Sequence, residues 1–136
     1  MVFLATEDFP KIKPSDIEFK LSQPNYTVNT LVHLEEKYPE HAFSLIMGED
    51  NLKSFHKWKN YEAILAHHEI YVYPRLDATA ENTLFKNHSK IHLIDAPVVE
   101  ISSTSIRENI KKGKNVLPLL PPKVWEYIDH NNFYKK

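Results

Sequence analysis

Residues 42–51 read Ala-Phe-Ser-Leu-Ile-Met-Gly-Glu-Asp-Asn, and this segment gives the clearest indication of the fold. Its first six residues are an almost continuous apolar run that ends at Gly48, a pattern typical of a buried strand. A second β-branched and aromatic run predicts a strand at 70–73, and helices are predicted at 27–38 and 61–66. Strands that alternate with helices at this spacing predict an α/β domain with a mainly parallel sheet.

The rest of the chain predicts further elements on either side of this segment. Residues 1–8 resemble the last turns of a helix, because they are mostly apolar, begin abruptly and precede Pro10. Polar and apolar residues alternate over 16–21, which predicts a half-buried strand. The remaining expectations are a loop-like stretch at 74–90, strands at 91–94 and 98–101, a helix at 103–112 and a last helix that opens at Pro122.

Composition narrows the classes of function. The 136 residues carry 17 Lys and Arg against 18 Asp and Glu, so no basic footprint indicates nucleic acid as the main partner. No apolar run approaches the roughly 18 residues that a membrane span needs. The absence of cysteine excludes disulfides and thiolate metal sites and fits a reducing cytosol. Only two glycines are present where about nine would be usual, so Gly-rich phosphate loops are absent.

Gly48 and Asp50 directly follow the strand predicted at 42–47. Ligands bind at the carboxyl ends of strands in open parallel sheets, so this is the expected place for a site. Gly48 would allow a ligand to approach the backbone closely, and Asp50 would accept hydrogen bonds from ribose hydroxyls. An ordinary turn between a strand and a helix uses the same residue types, and the pattern alone leaves both interpretations open.

Trp58 has charged neighbours on both sides, in the segment Phe55-His56-Lys57-Trp58-Lys59-Asn60. An aromatic face among cations suits stacking on a planar ring whose other substituents are anionic. The alternative is a half-buried tryptophan that covers the edge of the sheet. The two interpretations are balanced.

Four hydroxyl residues in a row precede the helix predicted at 103–112. Free N–H groups at a helix N-terminus bind anions, and an arginine one turn further can hold phosphate oxygens with its forked guanidinium. The segment therefore predicts a phosphate site formed by Ser102, Ser103, Thr104 and Arg107. Simple helix capping is the alternative, but four hydroxyls exceed what one cap needs, which favours phosphate.

The eight histidines do not predict a metal site. His67 and His68 are adjacent and point to different faces of any regular element. His88 and His92 are four residues apart, but His92 falls in a predicted strand, where that spacing does not bring side chains together. No set of three ligands with suitable spacing results.

Five segments occur in one order through the whole chain: Pro24-Asn25-Tyr26-Thr27-Val28-Asn29-Thr30-Leu31, Ile46-Met47-Gly48-Glu49-Asp50-Asn51, Lys57-Trp58, Ile101-Ser102-Ser103-Thr104-Ser105-Ile106-Arg107, and Leu119-Leu120-Pro121-Pro122-Lys123-Val124-Trp125-Glu126-Tyr127-Ile128. Together they resemble the bacterial nicotinate-mononucleotide adenylyltransferases. The resemblance implies a Rossmann-like nucleotidyltransferase domain that works in the cytosol. It also implies a reaction between ATP, accompanied by Mg²⁺, and nicotinate mononucleotide that gives deamido-NAD and pyrophosphate.

The resemblance implies roles for residues already singled out. Trp58 would stack on the nicotinate ring. Backbone groups at Thr27 and Val28 would hold the nicotinate carboxylate. Gly48 and Asp50 would lie at the nucleotide site.

The same resemblance implies that the segment from Ser102 to Arg107 faces the ATP phosphates, with Arg107 as the catalytic residue. The family pattern begins with a strand and a Gly-x-Phe-x-Pro-x-His-x-Gly-His loop, which has no match in this sequence. We therefore expect a partial nucleotidyltransferase domain without the N-terminal strand and helix, in which 1–100 form the remaining α/β core and 101–136 a C-terminal helical part. Such a chain is expected to be impaired in catalysis and to form a homodimer through an unpaired sheet edge.

Two other functions stay open. One is a related adenylyl transfer to nicotinamide mononucleotide or to phosphopantetheine. Trp58 favours a flat pyridine ring over the flexible chain of phosphopantetheine. The other is a catalytically inactive nucleotide-binding fragment that keeps only the ring-stacking pocket.

Overall fold

The computed structural model describes residues 1–75, 85 and 87–135, which form two compact units. The α/β unit comprises the described residues of Ile17–Glu100. The helical unit comprises Met1–Asp16 together with the described residues from Ile101 onward. The first 16 residues thus group with the C-terminal helices and not with the described residues of Ile17–Glu100.

Regular elements account for most of both units. The strands are β1 (Leu45–Gly48), β2 (Ile70–Tyr73) and β3 (Ile91–Leu93). The α-helices are α1 (Val2–Thr6), α2 (Thr27–Lys37), α3 (Glu49–Ser54), α4 (Tyr61–His67), α5 (Ser103–Lys111) and α6 (Pro122–His130). Short 3-10 helices occupy Ile17–Lys20, Phe55–Lys57 and Leu117–Leu119. No helix among the described residues is long and apolar enough to cross a membrane.

The sheet of the α/β unit is parallel, in the order β1-β2-β3. Leu45 of β1 pairs with Ile70 of β2, which pairs with Ile91 of β3. The predicted α/β class with a mainly parallel sheet is therefore confirmed. Because all three strands run the same way, their carboxyl ends meet at one edge of the sheet, where ligands bind in folds of this kind.

One face of the sheet packs against the core of the α/β unit. Ile70 and Val72 alternate with the exposed Tyr71, and the two aliphatic side chains are almost fully buried with Phe55 and Ile64. The opposite face is open, since Ile46 is 78% exposed. The expectation that 42–47 form a buried strand was therefore wrong in part, because β1 begins only at Leu45 and its residue Ile46 is largely exposed.

The helical unit has its own apolar core. Ile106 and Ile110 are one turn apart on α5, and Val124 and Ile128 are one turn apart on α6, so both pairs face the same interior around the fully buried Val116. Leu4 and Ala5 of α1 and Leu120 and Trp125 pack against this core.

Ion pairs join the two ends of the helical unit. The ammonium group of Lys123 on α6 lies 2.7 Å from Glu7 and 2.9 Å from Asp8, just after α1. Hydrogen bonds to Glu7 and then to Asp8 raise the pKa of Lys123 above its ordinary value. These contacts span more than a hundred residues of sequence, which explains why the pattern along the chain did not place the first residues here.

Two further expected elements differ in the structure, and a third lies partly outside the described residues. The strand predicted at 16–21 is the 3-10 helix Ile17–Lys20, where Glu18 accepts hydrogen bonds from Asn25 and Thr30 and Phe19 is 88% exposed. The residues of the strand predicted at 98–101 form no regular secondary structure, and they pair with no strand among the described residues. Of the loop predicted at 74–90, positions 76–84 and 86 lie outside the described residues.

Candidate functional site

Trp58 and Thr27 lie together in a pocket of the α/β unit. The pocket has a volume of about 310 Å³ and is lined by Asn25, Tyr26, Thr27, Lys57, Trp58 and Lys59. It joins the beginning of α2 to the segment that leads into α4, which are more than 25 residues apart in sequence. The two predicted binding residues are therefore neighbours in space.

Trp58 is anchored at one side and open at the other. Its backbone N–H donates to the carbonyl of Phe55 at 2.9 Å, and this bond closes the 3-10 turn before it. The indole meets the ring of Phe55 edge to face, with centroids 5.4 Å apart, and Phe55 is fully buried. The tryptophan is half-buried, as the structural alternative expected, and it also lines the pocket.

The pocket is positive. Lys57 and Lys59 are the charged residues in its lining, and no carboxylate is among them. The ammonium of Lys59 lies 4.3 Å from the centre of the Tyr26 ring, a cation–π contact that holds one charge at the pocket. Such a lining suits a ligand that combines a flat ring with a negative charge.

The first turn of α2 adds backbone donors to this pocket. Helix α2 begins at Thr27, and its N-cap residue Tyr26 makes no side-chain hydrogen bond to the first turn. The first N–H groups of a helix have no partner within the helix, so those of Thr27 and Val28 suit an anionic acceptor. Of these two residues, Thr27 lines the pocket, whereas Val28 does not and its side chain packs against the core.

Gly48 and Asp50 line a second pocket of the α/β unit, about 360 Å³ in volume, at the carboxyl ends of β1 and β2. Its other lining residues are Ile46, Met47, Asn51, Tyr73 and Arg75. A Cβ atom on Gly48 would collide with the carboxylate of Asp50. A side chain at position 48 would therefore displace the Asp50 carboxylate from its place over the end of β1.

Arg75 belongs to this second pocket, and the sequence interpretation missed it. Its Nε lies 4.0 Å from Oδ1 of Asp50, and its backbone N–H donates to Glu49 at 3.3 Å. Tyr73 ends β2 beside it, and its hydroxyl donates to the carbonyl of Pro97. Tyr73 ends the strand predicted at 70–73 and Arg75 follows it, and this position at the carboxyl end of a parallel strand was a signal that could have identified them.

Ser102 caps helix α5 in the helical unit. Its hydroxyl oxygen accepts a hydrogen bond from the N–H of Ser105 at 3.1 Å, so the capping interpretation is confirmed for this residue. Ser103, Thr104 and Arg107 are exposed. The guanidinium of Arg107 donates to the hydroxyl of Thr104 at 3.2 Å, which places a cation beside the hydroxyls of the first turn. Phosphate binding at this turn stays a prediction.

The described residues contain no group of three or more His, Cys, Asp and Glu side chains arranged to hold a metal ion.

Comparison with known proteins gives a consistent result. The family model described as cytidylyltransferase-like matches residues 5–109. Proteins named as probable nicotinate-nucleotide adenylyltransferases are 74% identical in Flavobacterium johnsoniae, 62% in Christiangramia forsetii and 38% in Caldicellulosiruptor saccharolyticus. These matches cover 99–100% of this chain and 70–71% of the relatives' own length.

A solved structure shares the fold. Nicotinic acid mononucleotide adenylyltransferase of Plasmodium falciparum, complexed with NaAD, superposes with a TM-score of 0.68 at 21% identity. The match covers 85% of this chain and 60% of that one. At this identity the likeness shows a common fold alone.

Proposed function

The chain belongs to the nicotinate-nucleotide adenylyltransferases, a family of enzymes among the cytidylyltransferase-like proteins, and we propose that it serves the transfer of an adenylyl group from ATP to nicotinate mononucleotide. The products would be deamido-NAD and pyrophosphate, in the biosynthesis of NAD in the cytosol. The observation that carries this proposal is the positive pocket around Trp58, which offers an aromatic face, two ammonium groups and the first turn of a helix to one ligand.

Each part of that pocket would meet one part of the mononucleotide. The nicotinate ring would stack on the open side of Trp58, since planar rings gain stacking energy on aromatic side chains. The ring carboxylate would accept hydrogen bonds from the N–H groups of Thr27 and Val28. Lys57 and Lys59 would favour the acid over the uncharged amide, because only the acid carries a charge on the ring substituent.

Gly48 and Asp50 would hold a ribose. The Asp50 carboxylate can accept two hydrogen bonds from vicinal hydroxyls, and the Nε atom of Arg75 lies 4.0 Å from its Oδ1 atom. Gly48 permits the close approach of backbone and ligand at the end of β1.

The reaction needs positioning and charge neutralisation and no covalent enzyme intermediate. A phosphate oxygen of the mononucleotide would attack the α-phosphorus of ATP, and the bond from that phosphorus to the bridging oxygen of the β-phosphate would break as pyrophosphate leaves. Arg107 would act as the catalytic residue by neutralising the negative charge of the phosphate groups. Ser102, Ser103 and Thr104 would add donors at the first turn of α5.

Mg²⁺ would arrive as the MgATP complex. Magnesium bound mainly through substrate phosphates and water needs few protein ligands. When bound, the ion supplies further neutralisation of the phosphates.

We also infer that the 136-residue chain transfers adenylyl groups slowly. The sequence contains no His-x-Gly-His, and the resemblance assigns to those histidines the contacts that stabilise charge at the ATP phosphates. Loss of preorganised donors of this kind typically costs about 10²–10³ in kcat.

The test combines binding and turnover. Calorimetry with the 136-residue chain should show binding of nicotinate mononucleotide, weaker binding of nicotinamide mononucleotide and none of phosphopantetheine. Pyrophosphate release with MgATP should fall well below that of the Flavobacterium johnsoniae relative measured alongside. A Lys59→Gln variant should narrow the difference between the acid and the amide.

Two results would contradict the proposal. Binding of phosphopantetheine in place of either mononucleotide would refute the substrate class. Turnover equal to that of the relative would refute the inferred impairment. Nicotinate mononucleotide binding without any detectable pyrophosphate release would identify an inactive nucleotide-binding chain, the second function that the sequence left open.

A further inference from the structure

A third pocket lies entirely within the helical unit, at the end of α5 away from Arg107. Its volume is about 430 Å³, and its lining comprises Ile110, Lys111, Gly113, Lys114, Asn115, Trp125 and Lys135. This volume lies within the range of about 300–1,000 Å³ that is typical of small-molecule sites. The nine residues of α5 extend over about 13 Å, so this pocket is separate from the hydroxyl-rich first turn of the helix.

The charge of this pocket is unbalanced. Lys135 is paired with Asp129 at 2.9 Å. The side chains of Lys111 and Lys114 make no ion pair or hydrogen bond within the part of the chain that the structure describes, and no carboxylate is among the lining residues. Two exposed lysines without an ion pair among the described residues therefore line one pocket, and their combined potential attracts an anion.

Stabilisation of the helix end does not account for both lysines. A cation in the last turn of a helix offsets the negative end of its dipole, and Lys111 occupies that position. Lys114 lies beyond the helix, after Gly113, whose φ of +69° reverses the chain. The backbone N–H groups of Gly113 and Lys114 already donate to the carbonyls of Ile110 and Asn109. The side chain of Lys114 is therefore not needed to cap the helix.

Two other lining residues suit a ligand with an aromatic ring: Trp125 offers a surface for stacking, and Asn115 offers a hydrogen-bond donor. Trp125 packs against the helical core and is half-buried, and the rest of its indole lines the pocket. The side-chain oxygen of Asn115 accepts a hydrogen bond from the N–H of Leu117 at 3.0 Å, so its amide nitrogen is the donor left for a ligand.

From these contacts we propose that the pocket formed by Lys111, Lys114, Asn115 and Trp125 binds a nucleotide, with the phosphates on the two ammonium groups and the base on the indole. The two lysines suit two phosphate groups, which indicates a nucleoside diphosphate. The site is additional to the substrate pockets of the proposed function, and its occupancy does not depend on that function.

The test uses ADP and the fact that the chain contains only two tryptophans. In a Trp58→Phe chain, Trp125 is the sole tryptophan and its fluorescence reports on this pocket. We expect a saturable change on titration with ADP, and dissociation constants at least tenfold higher for adenosine and for pyrophosphate, because each lacks one half of the recognised group. In the unsubstituted chain, the indole N–H signal of Trp125 in a nuclear magnetic resonance spectrum gives the same readout if the Trp58→Phe chain folds poorly.

Matched variants separate this site from other cationic surfaces. Lys111→Gln combined with Lys114→Gln should raise the dissociation constant for ADP at least tenfold. Lys11→Gln combined with Lys13→Gln removes the same charge from residues that do not line the pocket, and should change it less than twofold. Arg107→Ala should leave the response of Trp125 intact even though it weakens the proposed substrate site.

Several results would overturn the proposal. They are the absence of a saturable response from Trp125, pyrophosphate binding as tight as that of ADP, and an equal loss of affinity in the Lys11 and Lys13 control. Loss of the response in Arg107→Ala would show that Trp125 senses binding at the proposed substrate site and would equally refute a separate pocket. Failure of the nicotinate mononucleotide experiments would leave the expected ADP response unchanged.

Discussion

Trp58 packs against the core and lines the candidate substrate pocket. Its removal should therefore weaken the binding of nicotinate mononucleotide. Stacking of a planar ring on an aromatic side chain contributes about 1–3 kcal/mol. Trp58→Ala should therefore raise the dissociation constant for nicotinate mononucleotide roughly 5- to 150-fold. Calorimetry on the 136-residue chain measures this change.

The control for Trp58 keeps an aromatic ring. Trp58→Phe preserves a smaller stacking surface and the edge-to-face contact with Phe55, so its affinity should lie between that of the Ala variant and that of the unsubstituted chain. Equal affinity in all three proteins would show that Trp58 is a packing residue only, as the structural alternative states.

Arg107 should contact phosphate through its fork of donors. A lysine supplies charge without that geometry, so Arg107→Lys should weaken ATP binding by at least fivefold and Arg107→Ala by more. In a nuclear magnetic resonance spectrum, the backbone amide signals of Ser103 and Thr104 report binding at this turn and distinguish it from ATP binding elsewhere on the chain. Lys112→Gln is the matched loss of charge near the other end of α5, and it should leave those signals unchanged. Unaltered ATP binding in Arg107→Ala would assign the arginine a purely structural role beside Thr104.

At the scale of the element, the first turn of α5 combines a cap with the predicted phosphate site, and substitutions of Ser102 can separate the two. Ser102→Ala removes the acceptor for the N–H of Ser105 and should lower the free energy of unfolding by about 1 kcal/mol. Ser102→Asp retains an acceptor for that N–H but adds a negative charge, so it should preserve stability and weaken ATP binding. Denaturant unfolding and the Ser103 amide signal measure the two effects.

The comparison variant in the same turn is Ser103→Ala. Ser103 is exposed and does not supply the cap, so this change should leave stability within about 0.5 kcal/mol. If Ser102→Asp bound ATP as well as the unsubstituted chain, phosphate would not approach this turn.

For the whole molecule, the open face of the sheet is the feature most relevant to association. Ile46 and Tyr71 lie side by side in the register of β1 and β2, and both are exposed. β1 is also an edge strand within the described sheet, and exposed apolar edges favour pairing between chains. The near-zero net charge offers little repulsion against association.

These features predict self-association of the 136-residue chain as a homodimer through the sheet. Ile46→Lys should raise the dissociation constant of the dimer at least tenfold, because the charge would be buried against a second copy. Sedimentation equilibrium measures this constant. Phe19→Lys introduces the same charge at an exposed apolar residue outside the sheet and should have little effect. A chain that is monomeric at all concentrations would contradict the prediction.

Much of the local structure could be predicted from the chain itself. Ile106 and Ile110, and likewise Val124 and Ile128, follow helical spacing, so α5 and α6 were found by periodicity alone. The run of hydroxyls before α5 indicated its cap, and Gly48 indicated the end of β1. The alternation at 16–21 misled, because a short period-two pattern needs a partner strand to become a strand, and none is present among the described residues.

The tertiary structure added the features that depend on residues far apart in sequence. Sequence spacing records which side chains share a face of one element, and this was enough for the α/β class, the two C-terminal helices and the choice of Trp58, Asp50 and Arg107 as candidates. It does not record which elements meet. Three contacts arise only when the folded chain closes long loops. They are the ion pairs of Lys123 with Glu7 and Asp8, the approach of Thr27 to Trp58, and the position of Arg75 beside Asp50. The free energy for that closure comes from burial summed over the core, and not from any local pattern.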